Sequence, residues 1–138
     1  MVTSTSRVHV ASSAATLWRC LTEPDLVLRW QYGARLETTW EPGAPIRFSA
    51  QWQGEEVAQW GTVLSFDPPR SLAYTLFTPR EGVEDVEANR FTMRYDLVEG
   101  DGVVDLSITQ EDPRPGAHPA VDDESPVLGA LRDLAEGL

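Results

Sequence analysis

The stretch from Ile46 to Thr78 constrains this chain most. It reads as three consecutive strands, Ile46–Trp52, Val57–Phe66 and Leu72–Thr78, joined by two short turns. Along the first, Ile46, Phe48, Ala50 and Trp52 share one face, while Arg47, Ser49 and Gln51 share the other. Along the third, Leu72, Tyr74 and Leu76 recur with period two. Alternation of this kind marks a half-buried antiparallel strand, because successive side chains point to opposite faces of a sheet. Gln53-Gly54 supplies the positive φ of a tight hairpin, and Asp67-Pro68-Pro69-Arg70 ends a strand because proline has no donor for the ladder. A sheet with one apolar, aromatic-rich face needs a cover.

The rest of the chain supplies it. Met1–Ser6 reads as a frayed polar start, and Arg7–Ala11 alternates as a first strand. Ser12 or Ser13 caps a short helix whose Ala14, Leu17, Trp18 and Leu21 fall on one face. Thr22, with Pro24 and Asp25 behind it, starts a second helix with Leu26, Leu28 and Trp30 as its apolar members, and Gly33 ends it. Ala34–Trp40 is a further strand, turned into the meander by Glu41-Pro42-Gly43. Pro79–Ala88, with its four acids, reads as a solvated loop. Asn89–Val98 then sets Phe91, Met93, Tyr95 and Leu97 against Arg90, Thr92, Arg94 and Asp96, so both arginines should face outward. Gly100-Asp101-Gly102 turns the chain into a last strand carrying Val104, Leu106 and Ile108. Gln110–Glu124 has three prolines and five acids and reads as a loop. Ser125-Pro126 opens a final helix with a stripe of Leu128, Leu131, Leu134 and Leu138, its first turn favoured by Asp122, Asp123 and Glu124.

The implied fold class is α+β: a curved antiparallel β-sheet wrapped around the C-terminal helix, with two short helices after the first strand, in one domain over residues 1–138. A sheet and a single helix rarely fit completely, which leaves room for an apolar cavity. The residues expected to line it are Trp30, Phe48, Trp52, Trp60, Tyr74, Phe91, Met93 and Tyr95, with Leu128 and Leu131 from the helix; the alternative is that these side chains simply fill the core. Gly129 inside that helix is explained either by a close approach or by ordinary tolerance of a surface glycine.

Composition narrows the function. A net charge of −11 argues against nucleic acid, whose phosphates need clustered cations, and disfavours anionic membranes. All 11 basic residues are arginine, so Schiff-base and P-loop lysine chemistry are excluded. The histidines at 9 and 118 and the lone Cys20 have no metal-ligand spacing; His118 beside the acids at 122–124 reads as loop, and Cys20 as a buried, inert thiol. No nucleophile or phosphate-loop motif occurs, so no catalytic residue, metal or cofactor is expected. Without a signal segment or an apolar run near the ~20 residues of a membrane span, a cytoplasmic location is expected.

The run Gly61-Thr62-Val63-Leu64-Ser65-Phe66-Asp67-Pro68-Pro69-Arg70-Ser71-Leu72-Ala73-Tyr74-Thr75 resembles the meander of proteins related to the activator of Hsp90 ATPase (AHSA1-like), within the START-like, or SRPBCC, superfamily. Further matches are Ala14 and Thr16-Leu17-Trp18, then Leu21-Thr22, Trp30, Trp40-Glu41-Pro42-Gly43, and Leu131, Leu134 and Glu136. Family members often carry Gly-Trp where this chain has Pro126-Val127. The resemblance implies the helix-grip fold, a hydrophobic cavity for a small apolar or amphipathic molecule without catalysis, and a homodimer by analogy. Two other roles share this fold: a polyketide cyclase or aromatase using the cavity, and an Hsp90 co-chaperone-like interaction protein.

Overall fold

A computed structural model describes residues 2–31, 33–79, 81–113 and 126–138, with only the backbone of Trp52, Pro126 and Val127. The expectations placed on His118, Asp122, Asp123, Glu124 and Ser125, and on the side chain of Trp52, lie outside the described residues.

Strands β1 (Val2–Val10), β2 (Arg35–Thr38), β3 (Pro45–Trp52), β4 (Glu55–Asp67), β5 (Ser71–Leu76), β6 (Phe91–Gly100) and β7 (Val103–Asp112) form one antiparallel sheet in the order β1-β7-β6-β5-β4-β3-β2. The hairpin turns are as their residues dictate: Gln53 and Gly54 have φ of 51° and 82°, and Asp101 and Gly102 have 55° and 77°. Two positive φ values in succession give the turn whose twist matches that of the flanking strands. The sheet is longer at one edge than the residue pattern suggested. Residues 2–6 are paired rather than frayed, and β7 runs on to Asp112, because Val2 to Val10 match Asp112 to Val104 without a break.

The long strand β4 shapes the curvature. Its first part pairs with β3 as far as Thr62, and its second part pairs with β5 from Val63 onward. Gly61 stands at this handover. A Cβ built there would lie 1.8 Å from the Thr75 carbonyl oxygen, so only glycine lets the two strands approach so closely. A register shift between Val63 and Ser65 follows. Leu64, next to the buried Val63, stays out in solvent, and the extra residue brings Phe66 round to the inner face, where it packs against the core.

Helix α1 (Ala14–Thr22) is capped by Ser13, whose side chain accepts from the Thr16 N–H. The Ala14 N–H donates to the Glu99 carboxylate, which ties the helix to the end of β6. Helix α2 (Pro24–Trp30) starts from Glu23 rather than Thr22, with proline in its first turn. It buries Leu26, Val27 and Trp30; Leu28, expected inside, is exposed because positions 26, 27 and 30 share one helical face and a residue two places after Leu26 falls on the other. Helix α3 (Pro126–Gly137) packs on α1, α2 and β1. Leu131 is fully buried, Leu128 and Ala135 are buried beside it, and Leu138 lies beyond the helix end in solvent. The Ala11 N–H donates to the Glu136 carboxylate at 2.9 Å, which fastens α3 to the β1–α1 turn. Gly129 makes no close approach: nothing lies within 4 Å of where its Cβ would be. The core joins Leu17, Val27, Ile46, Val63, Leu72, Leu106 and Leu131 from helices and sheet. Among the described residues, no helix is long and apolar enough to cross a membrane.

Candidate functional site

Register decides which aromatic side chains meet. Phe48 on β3 stands opposite Gln59 on β4; Leu76 and Tyr74 on β5 stand opposite Phe91 and Met93 on β6; Tyr95 stands opposite Leu72. All point to the inner face, and Gln110 on β7, opposite Met93, continues that face. Trp30 comes from the end of α2. Its indole N–H donates to the Cys20 carbonyl at 2.7 Å, so the ring is held by one edge. All of these but Leu72, together with Gln31, line an inner pocket of about 310 Å³.

A chain of aromatic contacts backs the pocket wall at Tyr74. Trp18 packs on Phe66, Phe66 stacks on Trp40 at 5.4 Å, and Trp40 packs on Tyr74. Tyr74 in turn touches Phe48 and lies nearly parallel to Tyr95, with ring centres 6.0 Å apart. Trp40 holds its place with a left-handed backbone, φ 64°, and an indole N–H donated to the Thr22 carbonyl. The Tyr74 and Tyr95 hydroxyls face each other at 3.2 Å. Burial raises the pKa of both phenols, making them weaker acids than usual, Tyr74 the more so because the neighbouring Tyr95 also disfavours its anion. Both rings are therefore neutral at physiological pH.

Of the expected lining residues, Trp30, Phe48, Tyr74, Phe91, Met93 and Tyr95 come together here. Trp60 does not. It pairs with Arg47 and so points to the outer face, where it packs on Phe77 and its indole N–H donates to Asp85 at 2.8 Å. Leu128 and Leu131 are buried in the packing of α3 and are not part of the pocket wall. The residue pattern missed Leu76, Gln31, Gln59 and Gln110. Two of these carried a signal, since Leu76 shares the period of Leu72 and Tyr74, and Gln110 that of Leu106 and Ile108.

A wider groove of about 960 Å³ runs over the outer face, between Thr62, Leu64 and Thr75 on the sheet and the Asp85–Arg90 segment. Arg90 donates through Nε to Asp85 at 2.8 Å, and these bonds, with the Trp60 indole, hold the Asp85 carboxyl below its ordinary value. Arg90 and Asp85 are thus engaged with one another. Arg94 is exposed on the same face, as its alternation required. Cys20 is fully buried, and burial pushes its thiol up.

The sequence matches the family model for Activator of Hsp90 ATPase homolog 1-like protein over residues 11–125. No curated protein sequence matches the chain. Among solved structures, a Mesorhizobium loti protein superposes with a TM-score of 0.75 at 20% identity, over 99% of this chain and 98% of that one. A Nitrosomonas europaea protein gives 0.74 at 14% identity, over 99% and 95%. An HSP90 activator from Plasmodium falciparum gives 0.66 at 12% identity, over 85% and 76%. These likenesses show the fold.

Proposed function

Because the chain belongs to the Activator of Hsp90 ATPase homolog 1-like family, we propose that it is a non-enzymatic domain holding a small hydrophobic or amphipathic molecule in its inner pocket. The observation that supports this reading is the pocket itself: about 310 Å³, walled by Trp30, Phe48, Tyr74, Phe91, Met93 and Tyr95, with amide groups among them. That volume lies at the lower end of the range for small-molecule sites, ~300–1,000 Å³. It would hold roughly ten waters at about 30 Å³ each, or one bicyclic aromatic molecule in their place. Burying about 300 Å² of such a molecule contributes roughly 7 kcal/mol at 25 cal/mol per Å², before the costs of association are subtracted.

The test uses 2-acetylnaphthalene as a probe of matching size. At a concentration of about 100 times its Kd, the ligand should add about 2.7 kcal/mol to stability, read as a rise in melting temperature. Met93→Trp fills the pocket and should abolish the rise. A rise of the same size in that variant would place binding elsewhere and refute the reading. A second reading, a docking surface of the kind an Hsp90 co-chaperone presents, is favoured by the outer groove between Leu64 and Val86. The two separate cleanly, because Arg90→Glu alters the groove and leaves the inner pocket untouched.

A further inference from the structure

Two tyrosine hydroxyls that face each other can share only one hydrogen bond. At 3.2 Å, either Tyr74 or Tyr95 supplies that proton. The accepting hydroxyl keeps a proton of its own, and among the described residues no group accepts it. Both side chains are more than nine-tenths buried, at 4% and 6% exposure, and both line the pocket. Pocket water can accept that proton before a ligand enters, so a ligand that displaces the water has to offer an acceptor in its place. We propose that the Tyr74–Tyr95 pair is the polar anchor of the pocket, and that the ligand is a neutral aromatic or polycyclic molecule presenting a carbonyl-type acceptor oxygen to it.

This rests on the pocket reading above and specifies the ligand's chemistry. Three features set the class. The described wall offers aromatic faces and amides, so a flat apolar body fits it. The anchor is a donor, which matches an acceptor oxygen. The charge of the chain is −11 and the described wall carries no cation, so a buried carboxylate would enter unpaired at a large desolvation cost. Burial also keeps both phenols protonated, and so keeps the donor available through the neutral pH range. The three half-buried glutamines, Gln31, Gln59 and Gln110, leave room for a second polar group on the ligand. Gln59 already donates one amide N–H to the Thr78 hydroxyl at 2.8 Å, which leaves its second N–H and its carbonyl for a ligand.

Three isosteric probes test the idea by calorimetric titration: 2-acetylnaphthalene, 2-ethylnaphthalene and 2-naphthoate. The wild-type chain should bind the ketone about 3- to 10-fold more tightly than the ethyl compound, the range of one neutral hydrogen bond. The naphthoate should bind at least about 100-fold more weakly than the ketone. In Tyr74→Phe/Tyr95→Phe both hydroxyls go together, a change that leaves no lone buried donor and keeps the ring volume, and the ketone-to-ethyl preference should fall to about one. Equal binding of ketone and ethyl compound by the wild type would overturn the anchor while leaving the pocket reading intact. So would a ketone preference that survives the double substitution. Naphthoate binding as tight as that of the ketone would overturn the neutral class. Failure of all three probes to bind would remove the pocket reading and this inference with it.

Discussion

Replacing Gly61 by alanine tests whether the corner of β4 shapes the sheet. The new Cβ would sit 1.8 Å from the Thr75 oxygen and 2.5 Å from its carbonyl carbon, where ordinary contact begins near 3.4 Å. Both atoms are backbone, so no side chain can swing aside; the strands must separate by more than an ångström. Three hydrogen bonds hold them together at this point. The Thr62 N–H donates to Thr75 Oγ1 at 3.1 Å, and Trp60 and Phe77 exchange backbone bonds at 2.6 and 3.3 Å. Losing them costs about 1 kcal/mol each, and forcing a methyl group into a packed site adds about 1–3 kcal/mol. The expected loss is about 4–6 kcal/mol, comparable to the whole stability of many domains, ~5–15 kcal/mol. Urea denaturation followed by circular dichroism measures it. The matched control is Gly129→Ala, where nothing lies within 4 Å and the backbone is helical, so stability should rise by roughly 0.5–1 kcal/mol. Should Gly61→Ala cost less than about 1 kcal/mol, the close approach of β4 and β5 would not be what bends the sheet.

Two further outcomes follow from the titratable groups. Asp85 is held below its ordinary value of 3.8 by Arg90 and Trp60, so its contribution is present above that pH and fades as pH falls through the lowered folded value. Asp85→Asn should therefore be less stable than wild type near neutrality, with the gap closing in acid; a gap that stays constant from pH 7 to pH 2 would remove the ionic explanation. Cys20, fully buried with its thiol pushed up, should resist Ellman's reagent in the native protein and react once unfolded in urea, whereas prompt native reaction would show that the α1–α2 packing opens.

How much of this was readable in the residues depends on whether local or long-range geometry decides a position. Hairpins were legible because Gln53-Gly54 and Asp101-Gly102 carry their own backbone requirement, which the observed φ values meet. The inner faces of β5 and β6 were legible because Leu72, Tyr74 and Leu76, and Phe91, Met93, Tyr95 and Leu97, alternate without interruption. Trp60 failed for the opposite reason. It lies in β4, where Val57, Trp60 and Val63 are apolar but do not keep a period of two, and only the pairing of Trp60 with Arg47 shows which way it faces. The register shift after Val63 then puts Leu64 and Phe66, which a period of two would keep together, on opposite faces, and no period in the strand itself announces it.

The same distinction explains why the pocket's polar chemistry escaped a reading of residues. Tyr74 and Tyr95 are 21 positions apart and in adjacent strands, but Tyr95 stands opposite Leu72, not Tyr74. Their hydroxyls meet because a diagonal neighbour on a twisted sheet lies within reach of two long phenol side chains. A one-residue slip of β6 against β5 would carry Tyr95 to the outer face beside Arg94's present position and leave the Tyr74 hydroxyl alone among apolar rings. The anchor is thus a property of register, and register here is set by the apolar faces on both sides of it, by the Gly61 corner before β5 and by the Asp101-Gly102 turn after β6. A perturbation at either end that preserves the fold but shifts the strands should lower the preference for the ketone probe before it lowers the uptake of the hydrocarbon, because contact area tolerates a displacement that a hydrogen bond does not.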